Sequence, residues 1–185
     1  VGSIWGKINR DAIAADMQKY YFGKAAEHNI SETELIARSR DFIRIITELA
    51  PHWLTEAEAI AEAAGIDPAL YISYIANVYR YLFLGDECTS YAVQKNFTTD
   101  NAVLFHKNRD NAEKEQAVFV LDYSNLGLNK FITISDASVV ACMMMVNDKG
   151  LAGSADTGGL PVETPKYRGL MNTYILRYIA ENAAA

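Results

Sequence analysis

Cys88 stands in the run Asp86-Glu87-Cys88-Thr89-Ser90-Tyr91-Ala92-Val93, and the charged pattern Lys107-Asn108-Arg109-Asp110 follows about one hairpin later. A thiol attacks well only as thiolate. A cysteine that becomes the first residue of a chain carries an α-amino group of pKa ~8, which can accept the thiol proton without a histidine. Scission between Glu87 and Cys88 would therefore create nucleophile and base in one residue. Asp110 is placed to hold the ammonium form of that new amine if the two segments pair as an antiparallel hairpin. Thr89 and Ser90 add hydroxyls that could bond the backbone at a strained scissile peptide.

Each of these residues also has a reading without chemistry. Free cysteine is among the most buried residue types, so Cys88 could be a small hydrophobe. Asp110 could be a turn residue capping Asn111. A Cys88–His106 dyad across the hairpin is a further way to activate the thiol. Met143-Met144-Met145 reads as core filling, and Gly153-Ser154-Ala155-Asp156-Thr157-Gly158-Gly159 as a binding loop, since it lacks a P-loop lysine. Tyr71, Tyr74, Tyr79 and Tyr81 have helical spacing and pack a helical lobe, with an acyl pocket as the alternative use.

The elements that must position these residues change character near Cys88. From Ile8 to about Tyr81 the apolar positions recur at helical spacing, with Ile36, Phe42, Ile43, Ile46 and Leu49 on one stripe. Ser31, three residues before Glu34, predicts a capped helix that Pro51 ends. Thr55 then caps a second helix through Ala64, and Pro68 opens a third after the Gly65-Ile66-Asp67 turn. Beyond Cys88, short segments rich in Val, Ile, Phe and Thr predict antiparallel strands at about 89–95, 102–108, 116–122, 130–135 and 138–147. The apolar runs Ala117–Leu121 and Val139–Val146 predict strands covered on both faces, hence a layered α+β sandwich. Asn147-Asp148-Lys149-Gly150 is a turn. A final helix spans 168–182, with Leu170, Met171, Tyr174, Ile175, Tyr178 and Ile179 on one side.

The set Gly85-Asp86-Glu87-Cys88-Thr89-Ser90-Tyr91-Ala92-Val93, Leu104-Phe105-His106-Lys107-Asn108-Arg109-Asp110 and Asn147-Asp148-Lys149-Gly150-Leu151-Ala152 resembles the choloylglycine hydrolase and penicillin acyltransferase branch of the N-terminal nucleophile hydrolases, to which acid-ceramidase-like amidases are related. The front segment Ala50–Gly65 is similar to the α region of the acyltransferase precursor. The resemblance implies an α-β-β-α layered core preceded by a helical lobe, self-cleavage between Glu87 and Cys88, and hydrolysis or transfer of an acyl group held in a linear, non-peptide amide. It implies that Cys88 is the nucleophile and that Asp110 contacts the new amine. Lys107 stands where several relatives have arginine, and the backbone of Asp156 and Thr157 falls where relatives place an oxyanion-hole amide. Residues 1–87 would be the α region and 88–185 the front part of the sheet core. The chain resembles the front half of the family's polypeptide, so a companion C-terminal chain or segment is an expected partner. The rival is a non-catalytic ligand-binding or interaction module with Cys88 buried.

Half of the 185 residues are hydrophobic, which supports a sizeable core. The net charge is -6, and residues 1–87 carry 8 basic and 13 acidic side chains, so no clustered cationic surface for nucleic acid is expected. Two cysteines, Cys88 and Cys142, make no disulfide framework, and no Cys or His pair has zinc-ligand spacing. No cofactor or metal is expected. No apolar run approaches the ~18 residues of a membrane span. The expected substrate is a small acyl amide; homo-oligomerisation and compartment stay open, since the sequons at Asn29 and Asn96 would allow glycosylation in a secretory compartment but two such matches are commonplace by chance in a chain of this size.

Overall fold

The structure is a computed structural model that describes residues 1–77, 87–110, 114–156 and 169–185. It is mixed α+β, with helices and two antiparallel sheets. The chain divides into two compact units. One comprises Val1–Leu84, Asp136–Val140 and Glu163–Met171; the other comprises Gly85–Ser135, Ala141–Val162 and Asn172–Ala185.

The first unit contains α1 (Gly2–Ile8), α2 (Arg10–Asp16), a π-helical stretch (Met17–Phe22), α3 (Gly23–Glu27), α4 (Glu32–Arg38), α5 (Arg40–Leu49), α6 (Pro51–Ala64) and α7 (Pro68–Asn77). Ser31 caps α4 as its spacing predicts, its Oγ accepting from the Glu34 amide at 3.2 Å. The stripe read across Ile36 and Leu49 breaks at Ser39, whose hydroxyl donates to the Ile36 carbonyl at 2.6 Å and competes with the helical ladder. The next helix starts at Pro51 rather than at Thr55. Proline at a first helical position loses no hydrogen bond, and Thr55 lies inside α6. Gly65 closes α6 in the left-handed conformation, φ 73°, and Asp67 accepts from the Leu70 amide at 3.1 Å to open α7. Phe42, Ile46, Trp53, Ile60, Tyr71 and Tyr74 form the core of this unit. Helix α1 lies close against α6: a Cβ on Gly6 would sit 2.3 Å from the Ile60 carbonyl oxygen.

The second unit contains β1 (Glu87–Val93), β2 (Leu104–Asp110), β3 (Gln116–Leu121), β4 (Phe131–Asp136), β5 (Met144–Asn147), β6 (Ala152–Ser154) and α8 (Asn172–Asn182). Strands β1 and β2 form an antiparallel ribbon, and the others a sheet in the order β3-β4-β5-β6. Two sequence expectations are corrected here. Strand β3 is not covered on both faces: Val118 and Val120 are 64% and 55% exposed, because β-branched residues suit a pleated surface even where it meets solvent. The long strand expected over 138–147 shrinks to β5. Residues Ala137–Met143 are buried, but their run of apolar side chains reflects burial and not a hydrogen-bonded ladder.

Helix α8 buries Thr173, Tyr174, Leu176, Arg177, Ala180 and Glu181, while Ile175 and Ile179 face solvent, so its inward face differs from the apolar stripe in the sequence. A buried ion pair causes the difference: Arg177 Nε donates to Glu181 Oε1 at 3.0 Å, which lets two charged residues occupy the inner face. Asn147 joins the predicted turn to this helix. Its Nδ2 donates to the carbonyls of Ala180 (3.1 Å) and Ala183 (2.8 Å), and its Oδ1 accepts from the amides of Lys149 and Leu151. Among the described residues no helix is long and apolar enough to cross a membrane.

Candidate active site

The β1–β2 register sets the geometry. Its rungs pair Glu87 with Asp110, Cys88 with Arg109, Thr89 with Asn108, Ser90 with Lys107 and Tyr91 with His106. Residues directly opposite in an antiparallel pair share a face, and successive rungs alternate. Cys88, Ser90, Lys107 and Arg109 therefore lie on one face, and Thr89, Tyr91, His106, Asn108 and Asp110 on the other. Burial agrees, since Phe105, Lys107 and Arg109 are half-buried while Leu104, His106, Asn108 and Asp110 are exposed.

Cys88 is half-buried, and Cys142 is fully buried. Asp110 stands across from Glu87, one rung from Cys88, with its carboxylate on the face away from the sulfur. Asn108 fixes it there, donating from Nδ2 to both carboxylate oxygens at 3.2 Å. A main-chain nitrogen lies between the two faces of a strand, so this position suits contact with the backbone at residue 88 and not with its thiol. His106 is three rungs from Cys88, on the opposite face, with its ring stacked on Tyr91 at 4.8 Å between centroids. That arrangement argues against the Cys88–His106 dyad.

On the face of Cys88 the polar groups converge on Asp156. Lys107 forms an ion pair with the Asp156 carboxylate and donates to the Ala155 carbonyl at 3.0 Å; its side chain is only 2% exposed. Ser90 and Ser154 donate to Asp156 Oδ2 at 2.7 and 2.9 Å, and Asn172 donates to the Asp156 carbonyl at 3.2 Å. Partial burial pushes the Asp156 carboxyl up. The hydrogen bonds from Lys107, Ser90 and Ser154, with the Lys107 charge, outweigh it and hold the carboxyl below its ordinary value. Ser90 is two residues from Cys88 on the same face, about 7 Å along the strand. The end of β6 is thus tied to the strand that bears the cysteine.

Of the residues named from sequence, Lys107 and Asp156 meet directly, and Asp110 and Cys88 occupy adjacent rungs on opposite faces. Thr157 lies outside the described residues, as do Tyr79, Tyr81, Gly85 and Asp86, and of Glu87 only the backbone is described. Ser154, in the loop read from sequence as a binding loop, and Asn172, which the sequence did not single out, join the site. Asn172 is the first residue of α8, its Oδ1 accepting from the Thr173 amide at 2.9 Å, and no sequence signal marked it, because the helical periodicity reads as starting at 168. Among the described residues no cluster of His, Cys, Asp and Glu is arranged to hold a metal ion. No protein-family model matches the chain, and no curated protein matches it significantly.

Proposed function

We propose that this chain carries the front part of an autoprocessing cysteine amidohydrolase or acyltransferase of the N-terminal nucleophile type, acting on linear, non-peptide amides after scission between Glu87 and Cys88. The observation that supports it best is the Glu87–Asp110 rung, which puts an oriented carboxylate beside the backbone where the new amine would arise.

In the first step Cys88 Sγ attacks the Glu87 carbonyl carbon. The C–N bond breaks as nitrogen takes up a proton, leaving a thioester, and one water hydrolyses it to the Glu87 carboxylate and a free thiol. In the mature form the Cys88 amine accepts the thiol proton. With reference values of ~8 and ~8.5, that transfer costs only about 0.7 kcal/mol before Asp110 stabilises the ammonium. The thiolate attacks the substrate carbonyl, the ammonium returns its proton to the departing amine, and an acyl thioester remains for water or a second amine. The backbone at Asp156 and Thr157 is the proposed oxyanion support, and the Lys107–Asp156 pair is its positioning device. The four-layer α-β-β-α arrangement and a companion segment completing the site belong to the same proposal.

A reagent that closes a stable ring only on a 1,2-aminothiol, the activated nitrile 2-cyanobenzothiazole, tests it. Labelling at residue 88 is expected in purified protein and is abolished in Cys88→Ala. An unlabelled protein whose Cys88 still reacts with iodoacetamide would favour the non-catalytic reading.

A further inference from the structure

The helical unit is built from chain on both sides of the Glu87–Cys88 bond, since it includes Asp136–Val140. Ala137, Ser138, Val139 and Val140 are each at most 3% exposed. Ser138 is the polar centre of the segment. Its Oγ lies 2.5 Å from Asp16 Oδ2 and 2.7 Å from the Tyr74 hydroxyl, and its carbonyl accepts from the Tyr71 hydroxyl at 3.0 Å. The hydroxyl has one proton, and a carboxylate can only accept it, so Ser138 donates to Asp16 and Tyr74 donates to Ser138. Every polar atom of the Ser138 side chain is thereby used. Asp16 ends α2 where the backbone widens into the π-helical stretch, and Tyr71 and Tyr74, three residues apart on α7, complete the grip.

We propose that Asp16, Tyr71 and Tyr74 form a receptor for the Asp136–Val140 segment, and that this latch holds residues 1–87 to residues 88–185 once the chain is cut between them. The partner surface is the turn that leaves β4, where Ala137, Val139 and Val140 surround one hydroxyl after the buried Asp136, and the hydroxyl is recognised by a charge-assisted hydrogen bond to the Asp16 carboxylate. Its apolar flanks supply area, and Ser138 supplies register: a one-residue slip would set Ala137 or Val139 against Asp16 and leave the carboxylate without its hydroxyl donor. The latch does not depend on self-cleavage, because any cut before Cys88 would test it.

The experiment uses the full chain with Cys88→Ala, so that no self-scission occurs, and a protease recognition sequence inserted between Gly85 and Asp86. After native digestion, the dissociation constant of the two pieces is measured by dilution and size exclusion. The pieces are expected to co-elute. Asp16→Ala should weaken the pair about 10- to 100-fold, and Tyr74→Phe, which removes only a hydroxyl, by about 3- to 10-fold. Circular dichroism of the uncut variants checks folding; should uncut Asp16→Ala be unfolded, Tyr71→Phe and Tyr74→Phe carry the test. Pieces that separate as soon as the bond is cut would overturn the proposal. So would folded variants whose affinity stays within threefold of the parent.

Discussion

Replacing Lys107 with methionine removes the ammonium and keeps most of the stem. The side chain is 2% exposed and its partner carboxylate 34% exposed, so the loss falls between two regimes. Breaking a fully buried pair costs about 3–5 kcal/mol, and an exposed pair contributes about 0–1 kcal/mol. With Asp156 partly open to water and still bonded to Ser90 and Ser154, about 2 kcal/mol is expected, including the lost bond to the Ala155 carbonyl. The choice of probe matters, because both tryptophans, Trp5 and Trp53, lie in the helical unit and report little on the sheet. Native-state hydrogen exchange reads the relevant region. The Ala155 amide, bonded to the Met143 carbonyl at 2.8 Å, should lose about 30-fold in protection, whereas amides of α6 should not change. A double cycle with Asp156→Asn should return a coupling of about 1–2 kcal/mol. Protection at Ala155 unchanged within threefold, or a cycle that closes with no coupling, would refute the reasoning.

The Asp156 carboxyl titrates below its unfolded value of 3.8, so its stabilisation is complete above that pH and is lost as pH falls through the lower folded value. Acid titration followed by exchange at β6 should therefore show opening below pH ~4 in the parent, and Asp156→Asn should remove that pH dependence. In the helical unit, Gly6→Ala sets a methyl against the Ile60 carbonyl oxygen, a backbone atom that cannot rotate away. Urea denaturation read by tryptophan fluorescence should lose about 1–3 kcal/mol, while Gly127→Ser, with no neighbour within 4 Å but φ 76°, should cost about 1 kcal/mol and leave that signal unmoved. Asn147→Ala removes the donor to the carbonyls of Ala180 in α8 and Ala183 just past its end, and an acceptor for two turn amides, and should destabilise the sheet unit by about 2–4 kcal/mol in exchange at β5.

What could be read from the sequence follows from how local each signal is. Ser31 and Glu34, Gly65 and Asp67, and the Asn147–Gly150 turn act within four residues, and each predicted feature stands in the structure. The hairpin pairing of β1 with β2 was legible too, since strand-like alternation on either side of a polar connection constrains it. The register was not. A shift of one rung would have put Asp110 on the face of the sulfur, and only the observed pairing puts it on the other. Long-range polar contacts left no local trace. Ser138 lies in an apolar run that reads as strand, and nothing near it announces Asp16, 122 residues earlier. Arg177 and Glu181 look like an exposed pair one helical turn apart, yet pairing lets them face inward, so that Ile175 and Ile179 of the predicted stripe meet solvent while Met171 and Tyr174 stay buried. Lys107 read as an imperfect substitute for arginine, and the structure gives its compact ammonium two oxygen partners, the Asp156 carboxylate and the Ala155 carbonyl, without a two-pronged contact.

The self-cleavage on which the functional proposal stands has a direct readout in the mass of the polypeptide. Purified parent protein and Cys88→Ala, held side by side at neutral pH under reducing conditions, are followed by intact-mass spectrometry. The parent should convert into two species corresponding to residues 1–87 and 88–185, while the alanine variant keeps the mass of the uncut chain. A parent that stays whole throughout, or an alanine variant that is cut at the same bond, would contradict a reactive sulfur at position 88.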